Sequence, residues 1–452
     1  MEKEKSIAEK SETPKSLSSA NSSMESLSLS VENLSLNNGE VSSSVGSTNS
    51  FLFPGETSST KIQEIVSKNQ ETSFDKSKRV LPQLYPQNIW AINNPELQLS
   101  VHALHNEGAN QDSAPHSVFG KLKGYSFLGY ARNQEGSKNL QEVLMFKNTK
   151  ITSQILERVT ASLEGVPIIH YLMIDQFGWH VCSKLIDSCN EKQLALIVET
   201  ITMDRQLFII LSNNITASKL IKKLIKLLKK SPYIKWLVAS LYLAFYQLMI
   251  DKIGSYVITY CLDTLDIKQK VLLYEAIIPN CLHLAIHEIG CISLNNFIDK
   301  IQGWHRQHLL ELISNNAVFL SHDPSGNHVV QKVLGLENPF FTEIIGNLLR
   351  GHYARLSLQK WGSHVVEKCL KSPAMSYAVE DLLSSSSNQL LQVARDQFGN
   401  YVIQRALKVT KELNFPLHLE LLRSLQPHLE TLRYGYGRSI FNLIASGIPN
   451  EV

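Results

Sequence analysis

The sequence is short of most features that announce a function. Its most membrane-like stretch, Trp236–Ile250, is free of charge for only 15 residues between Lys235 and Asp251, against about 20 for a spanning helix. That excludes a membrane span and leaves a buried helix. Six cysteines occur in 452 residues, with no C-x-x-C pair. The amino-terminal run MEKEKSIAEKSETPKS has no apolar core of a secretory signal, so reduced thiols in a cytosolic or nuclear protein are expected, and a cytoplasmic location is the reading taken. Formal charge is only +3, which gives no global basic excess; any nucleic-acid site must be a local surface. Walker loop, nucleophile elbow and dinucleotide fingerprint are all missing, and HEIGC at His287 lacks the second histidine of a zincin. No enzyme and no cofactor are expected. Cys281, His283, His287 and Cys291 fall within 11 residues, yet structural zinc sites pair ligands two to four apart in small coreless modules. No metal is expected there.

What the chain does have is one phrase written many times. DQFGNYVIQRAL opens at Asp396, QKWGSHVVEKCL at Gln359, DPSGNHVVQKVL at Asp323, DKIGSYVITYCL at Asp251 and DQFGWHVCSKLI at Asp175. HEIGCISLNNFI at His287, NQEGSKNLQEVL at Asn133 and NITASKLIKKLI at Asn214 are fainter copies. The glycine (Ala217 in one copy) recurs at 136, 178, 217, 254, 290, 326, 362 and 399, at steps of 42, 39, 37, 36, 36, 36 and 37. Such a period marks an all-α solenoid of eight units, each too small to bury its own apolar face. Residues 1–80, rich in Ser, Asn, Glu and Lys, read as a disordered tail, and 81–115 as a linker. The island FLFP at Phe51–Pro54 has the form of a docking motif, although most such islands in tails are inert. Residues 116–452 read as the repeat domain, with LRYGYGRSIFNLI near the end as an atypical terminal cap.

Each unit reads as an apolar helix, a tight turn and a second helix. The glycine suits a turn needing positive φ, and the recurring Asp175, Asp251, Asp323 and Asp396 suit capping or turn formation. In the last copy Val402, Ile403, Ala406 and Leu407 form one apolar stripe for stacking. Asn400 and Gln404 stand one turn apart on another face with Tyr401 beside them. Every unit therefore offers three outward residues, aligned by stacking. In the last three these are Asn327, His328, Gln331; Ser363, His364, Glu367; and Asn400, Tyr401, Gln404. A carboxamide donates and accepts, as the edge of uracil does, whereas a carboxylate only accepts, which suits the N–H donors of guanine. Rings at one per repeat suit stacking between successive bases.

With these motifs the chain resembles the Pumilio/PUF family of RNA-binding proteins, over about three quarters of its length. The resemblance implies an armadillo- or HEAT-like crescent of eight three-helix repeats, with single-stranded RNA running antiparallel along its concave face. It implies that Asn400, Tyr401 and Gln404 read a first U, Ser363, His364 and Glu367 a G, and Asn327, His328 and Gln331 a second U, giving a UGU core. Ser137, Lys138 and Gln141 are similar to the adenine-reading first repeat, with Lys138 where a stacking Arg is usual.

The middle departs from the pattern: Cys291, Ile292 and Asn295 lack the ring; Ser255 and Tyr256 keep it, but Thr259 is short. Lys219 and Lys222 bring cations, and Trp179 a bulky indole. Strict reading of UGU and loose reading beyond it are expected. Lysines 219, 222, 223, 226, 229 and 230 either hold phosphates or form a solvated face. The resemblance further implies binding of mRNA in 3′ untranslated regions and recruitment of repression or decay factors; a monomer is expected, with the Ser-rich tail or the convex face supplying partners and phosphorylation as a control. The alternative is a protein-binding scaffold, or a ribosome-assembly relative with relaxed specificity.

Overall fold

The computed structural model describes residues 122–446, all within one compact unit. The tail and linker expected over 1–115 lie outside the described residues. Wherever the recurring phrase occurs, a helix begins: α1 (Gln134–Met145), α2 (Gly178–Ser188), α3 (Ile215–Leu228), α4 (Gly254–Thr264), α5 (Glu288–Ile298), α6 (Gly326–Leu334), α7 (Gly362–Leu370) and α8 (Gly399–Glu412).

The recurring aspartates account for where these helices start. Asp175, Asp251, Asp323 and Asp396 each accept hydrogen bonds from the backbone amides two and three residues on, at 2.7–2.9 Å. Those amides have no partner inside the helix, so a side-chain acceptor there removes an unmet donor. Asn133, Asn214 and the His287 ring nitrogen Nδ1 do the same work before α1, α3 and α5. Before α7 the place is held by Gln359, which instead reaches sideways to His322 Nδ1 at 2.6 Å.

The recurring glycine has a different cause from the one the sequence suggested. None of the series has positive φ. A Cβ at Gly399 would lie 2.5 Å from the Val393 carbonyl oxygen, and one at Gly326 2.8 Å from that of Leu320. The residue is glycine because the new helix is seated directly on the backbone of the one before.

Most repeats add two further helices before the recurring one, as in Gly303–Asn315 with Ala317–Ser321 and Met375–Ser384 with Ser387–Arg395. The fifth repeat fuses them into a single helix, Ile267–Ala285, that carries Pro279 inside. Among the described residues the only strands are Ser162–Leu163 and Val166–Pro167, a two-stranded antiparallel pair. The chain is thus an all-α solenoid, and α9 (Arg438–Ala445) closes its end against α8. The uncharged stretch 236–250 falls in Ile234–Leu243 and Phe245–Met249, broken at Ala244. No helix among the described residues is long and apolar enough to cross a membrane.

The stripe on each recurring helix forms the core. Val402, Ile403, Ala406 and Leu407 are buried, as are Val365, Val366, Cys369 and Leu370 one repeat earlier. Cys261 and Cys369 occupy the stripe position that Ala406 fills in α8, so these cysteines are small apolar packing residues. All six are unpaired, and burial pushes the thiols of Cys261, Cys281 and Cys369 up to about 12, where the reactive thiolate is scarce.

Candidate nucleic-acid interface

Each recurring helix packs on the next, from α1 through α8 to α9, so their free faces make one continuous row. Burial along that row is regular. The second residue of each triplet is exposed in all eight repeats: Lys138, His180, Lys219, Tyr256, Ile292, His328, His364 and Tyr401. Tyr401 is 59% and Tyr256 64% exposed. The third is half-buried throughout, at Gln141, Ser183, Lys222, Thr259, Asn295, Gln331, Glu367 and Gln404.

The first residue corrects the expectation of three outward groups. Asn327, Ser363 and Asn400 are 0%, 3% and 4% exposed, and Ser137 is also buried. The cause is the seating described above: close packing on the preceding turn leaves this position facing backbone. Asn400 Nδ2 donates to the carbonyls of Asp396 at 2.8 Å and Gln397 at 3.0 Å. Its Oδ1 then accepts from Gln404 Nε2 at 2.8 Å. Asn327 repeats this on Asp323 and Pro324, and takes Gln331 Nε2 at 2.9 Å. Flipping either Asn amide would set oxygen against two carbonyls, so its orientation is fixed, and it fixes the glutamine in turn. Each glutamine is left with one N–H and its Oε1 toward the row, a donor beside an acceptor. The asparagine is therefore a positioning group, with the glutamine and ring presented outward.

In the seventh repeat Ser363 Oγ donates to the Lys360 carbonyl at 3.2 Å. Glu367 points along the row to Arg405 of α8, 3.8 Å away, and presents acceptors only. Arg405 was missed in the sequence; its signal is a carboxylate in one triplet with an arginine six residues beyond the next glycine. At the first repeat Gln141 Nε2 donates to Ser137 Oγ at 3.1 Å, and Ser137 Oγ donates to the Phe177 carbonyl at 2.9 Å.

The central triplets lack this fixed pair. Ser255 Oγ bonds the Lys252 carbonyl at 3.3 Å under an exposed Tyr256. Cys291 is buried on the Glu288 carbonyl, and Asn295 Nδ2 reaches the His328 carbonyl at 3.5 Å. Charge ladders run beside the row: Asp187 to Lys223 and Asp299 to Lys332, both at 2.7 Å, with Asp263 to Lys300 between them. His287 caps α5, and no cluster among the described residues could hold a metal ion.

A family model, the Pumilio-family RNA binding repeat, matches residues 169–202, 244–278, 280–314, 316–339, 352–372 and 389–412. Pumilio homolog 18 of Arabidopsis thaliana is 33% identical over 277 residues, covering 61% of this chain and 84% of that relative. This chain belongs to the Pumilio family. Pumilio homolog 12 of the same plant is 32% identical over 320 residues, 70% of this Pumilio chain but 52% of the longer relative. The chain likewise spans about half to three fifths of several other relatives. The Puf4 RNA binding domain bound to an HO endonuclease RNA 3′ UTR recognition sequence superposes with a TM-score of 0.57 at 26% identity, over 70% of this Pumilio chain and 97% of that one. The RNA-binding domain of yeast Puf5p shares the solenoid, with a TM-score of 0.58 at 20% identity, over 71% of this chain and 95% of that one. The segments matched by the family model pass over α3, the lysine-bearing helix.

Proposed function

We propose that this protein binds single-stranded mRNA sequence-specifically along the row α1–α8 and regulates the message after transcription, in the cytoplasm and without catalysis. The observation that carries the reading is the locked Asn–Gln pair beside an exposed ring, built twice with the same bonds in α6 and α8. A preset donor–acceptor pair loses little freedom when a base edge meets it, and so discriminates. Gln404 and Gln331 are read as uracil contacts, Glu367 as the guanine contact, and Tyr401, His364 and His328 as stacking groups, for a UGU core. Ser137, Lys138 and Gln141 take a base at the far end, and Ser255 with Tyr256 a loosely read one between. Repression or decay factors are the partners this reading calls for.

Selection of the full chain against random RNA tests it. UGU should dominate the bound pool, with weak preference opposite α2 to α5. A pool with no shared trinucleotide, or no retained RNA, would overturn the proposal.

A further inference from the structure

Between α2 and α3 the row changes character. Trp179 takes the first triplet position, where α6 to α8 bury an Asn or a Ser. An indole is too large for the space under the capped turn, and Trp179 remains half-buried. Its ring lies against that of His180, with centroids 4.1 Å apart at 36°. On its neighbour α3, Lys219 Nζ stands 5.8 Å from the indole centroid. The protein's own side chain thus lies with the second-position residues of both helices, His180 and Lys219. In the eighth repeat that place would be open to a base.

The cations of α3 are the second observation. Lys223 is committed: its Nζ meets Asp187 at 2.7 Å and Ser183 at 2.8 and 2.9 Å. Lys219 and Lys222 occupy the second and third triplet positions, and neither has a carboxylate partner among the described residues. An ammonium donates only, so it cannot copy the donor–acceptor pair that Gln404 presents to a base edge. Its natural mate is an anionic oxygen.

Resting on the reading that RNA lies along this row, we propose that α2 and α3 hold the ribose–phosphate backbone of the same strand rather than a base. Trp179 closes the base slot, and Lys219 and Lys222 neutralise phosphodiester oxygens. This part of the site is blind to sequence and sensitive to salt, whereas the α6–α8 part is the reverse.

The test is a salt series with the full chain and a selected RNA, comparing wild type with Lys219→Gln/Lys222→Gln. Each phosphate released from a single strand contributes about −0.7 to the slope of log affinity against log salt. Two lost contacts should make the slope shallower by about 1.4, so a fourfold rise in salt costs the variant about sevenfold less affinity than wild type. Methylphosphonate linkages opposite α2 and α3 should weaken wild type and leave the variant unchanged, while base changes there should alter neither. An unchanged slope overturns the clamp and points to a solvated face or a different partner for it. A sharp base preference at those nucleotides overturns it too. A control RNA lacking UGU separates the levels: if it binds equally well the base-reading proposal falls, and if UGU is required but the slope does not move, only the clamp falls.

Discussion

Ser363→Asn together with Glu367→Gln should turn the seventh repeat from guanine toward uracil. The local framework is already present. In α8 the Asn400 amide sits on two carbonyls at 2.8 and 3.0 Å and holds Gln404. Before α7 the corresponding carbonyls are those of Gln359 and Lys360, and Ser363 Oγ already uses the latter. The exchange removes a carboxylate that would accept from guanine, and hydrogen bonds to a charged group are worth about 1.5–3 kcal/mol. It installs a neutral pair worth about 0.5–1.5 kcal/mol to uracil. Arg405 loses a charged partner, but at 3.8 Å its Nε makes no hydrogen bond to Glu367, so that pair is weak, and a glutamine at 367 keeps an oxygen on the same side. A preference change of about 1–3 kcal/mol follows, roughly fivefold to 150-fold. Competition anisotropy with RNAs that differ at this one base measures it, with thermal melting as a check on folding. A preference ratio unchanged within twofold would refute the assignment, as would equal weakening toward all four bases.

Tyr401→Ala should lower RNA affinity by about 1–3 kcal/mol with no change in the base chosen; a shifted preference in the same competition assay would show that the ring reads rather than stacks. Gly399→Ala forces a Cβ to within 2.5 Å of the Val393 carbonyl oxygen and should destabilise the fold by about 1–3 kcal/mol in urea unfolding, whereas a neutral result would mean the seating is loose. Burial holds the pKa of His170 below its ordinary value. Its folded state therefore binds fewer protons than the unfolded one as pH falls through about 6.5, and stability is lost on that side. His170→Leu should flatten the fall in melting temperature between about pH 7 and 5.5, with part of the slope surviving through His305 and His418, whose pKa values are also lowered by burial; an identical slope would assign the effect elsewhere.

The repeat, its stripe and its caps were legible in the sequence because each is a local matter. Val402 and Ala406 share a face by helical period alone, and Asp396 reaches amides two and three residues away. The burial of Asn400 was not legible. Adjacency of Asn400 and Gln404 shows that they touch, but how deep each lies depends on the distance to the preceding helix. The glycine was tied to the correct turn and to the wrong cause, since a close approach and a positive φ leave the same residue in the sequence. The sideways reach of Gln359 to His322 joins two repeats, as does the overlap of Lys219 with Trp179. Periodicity within one repeat carries no trace of either.

Main chain resting on main chain at the recurring glycines has an evolutionary consequence. Step length belongs to the polypeptide backbone, so it survives when the lining side chains drift. Trp179, Lys222, Thr259 and Asn295 depart from the Asn–Gln pattern of α6 and α8 in four successive units while α2 to α5 keep their stacking. A molecule built this way can revise its target letter by letter, by point mutation, without retooling the scaffold that holds the letters in line.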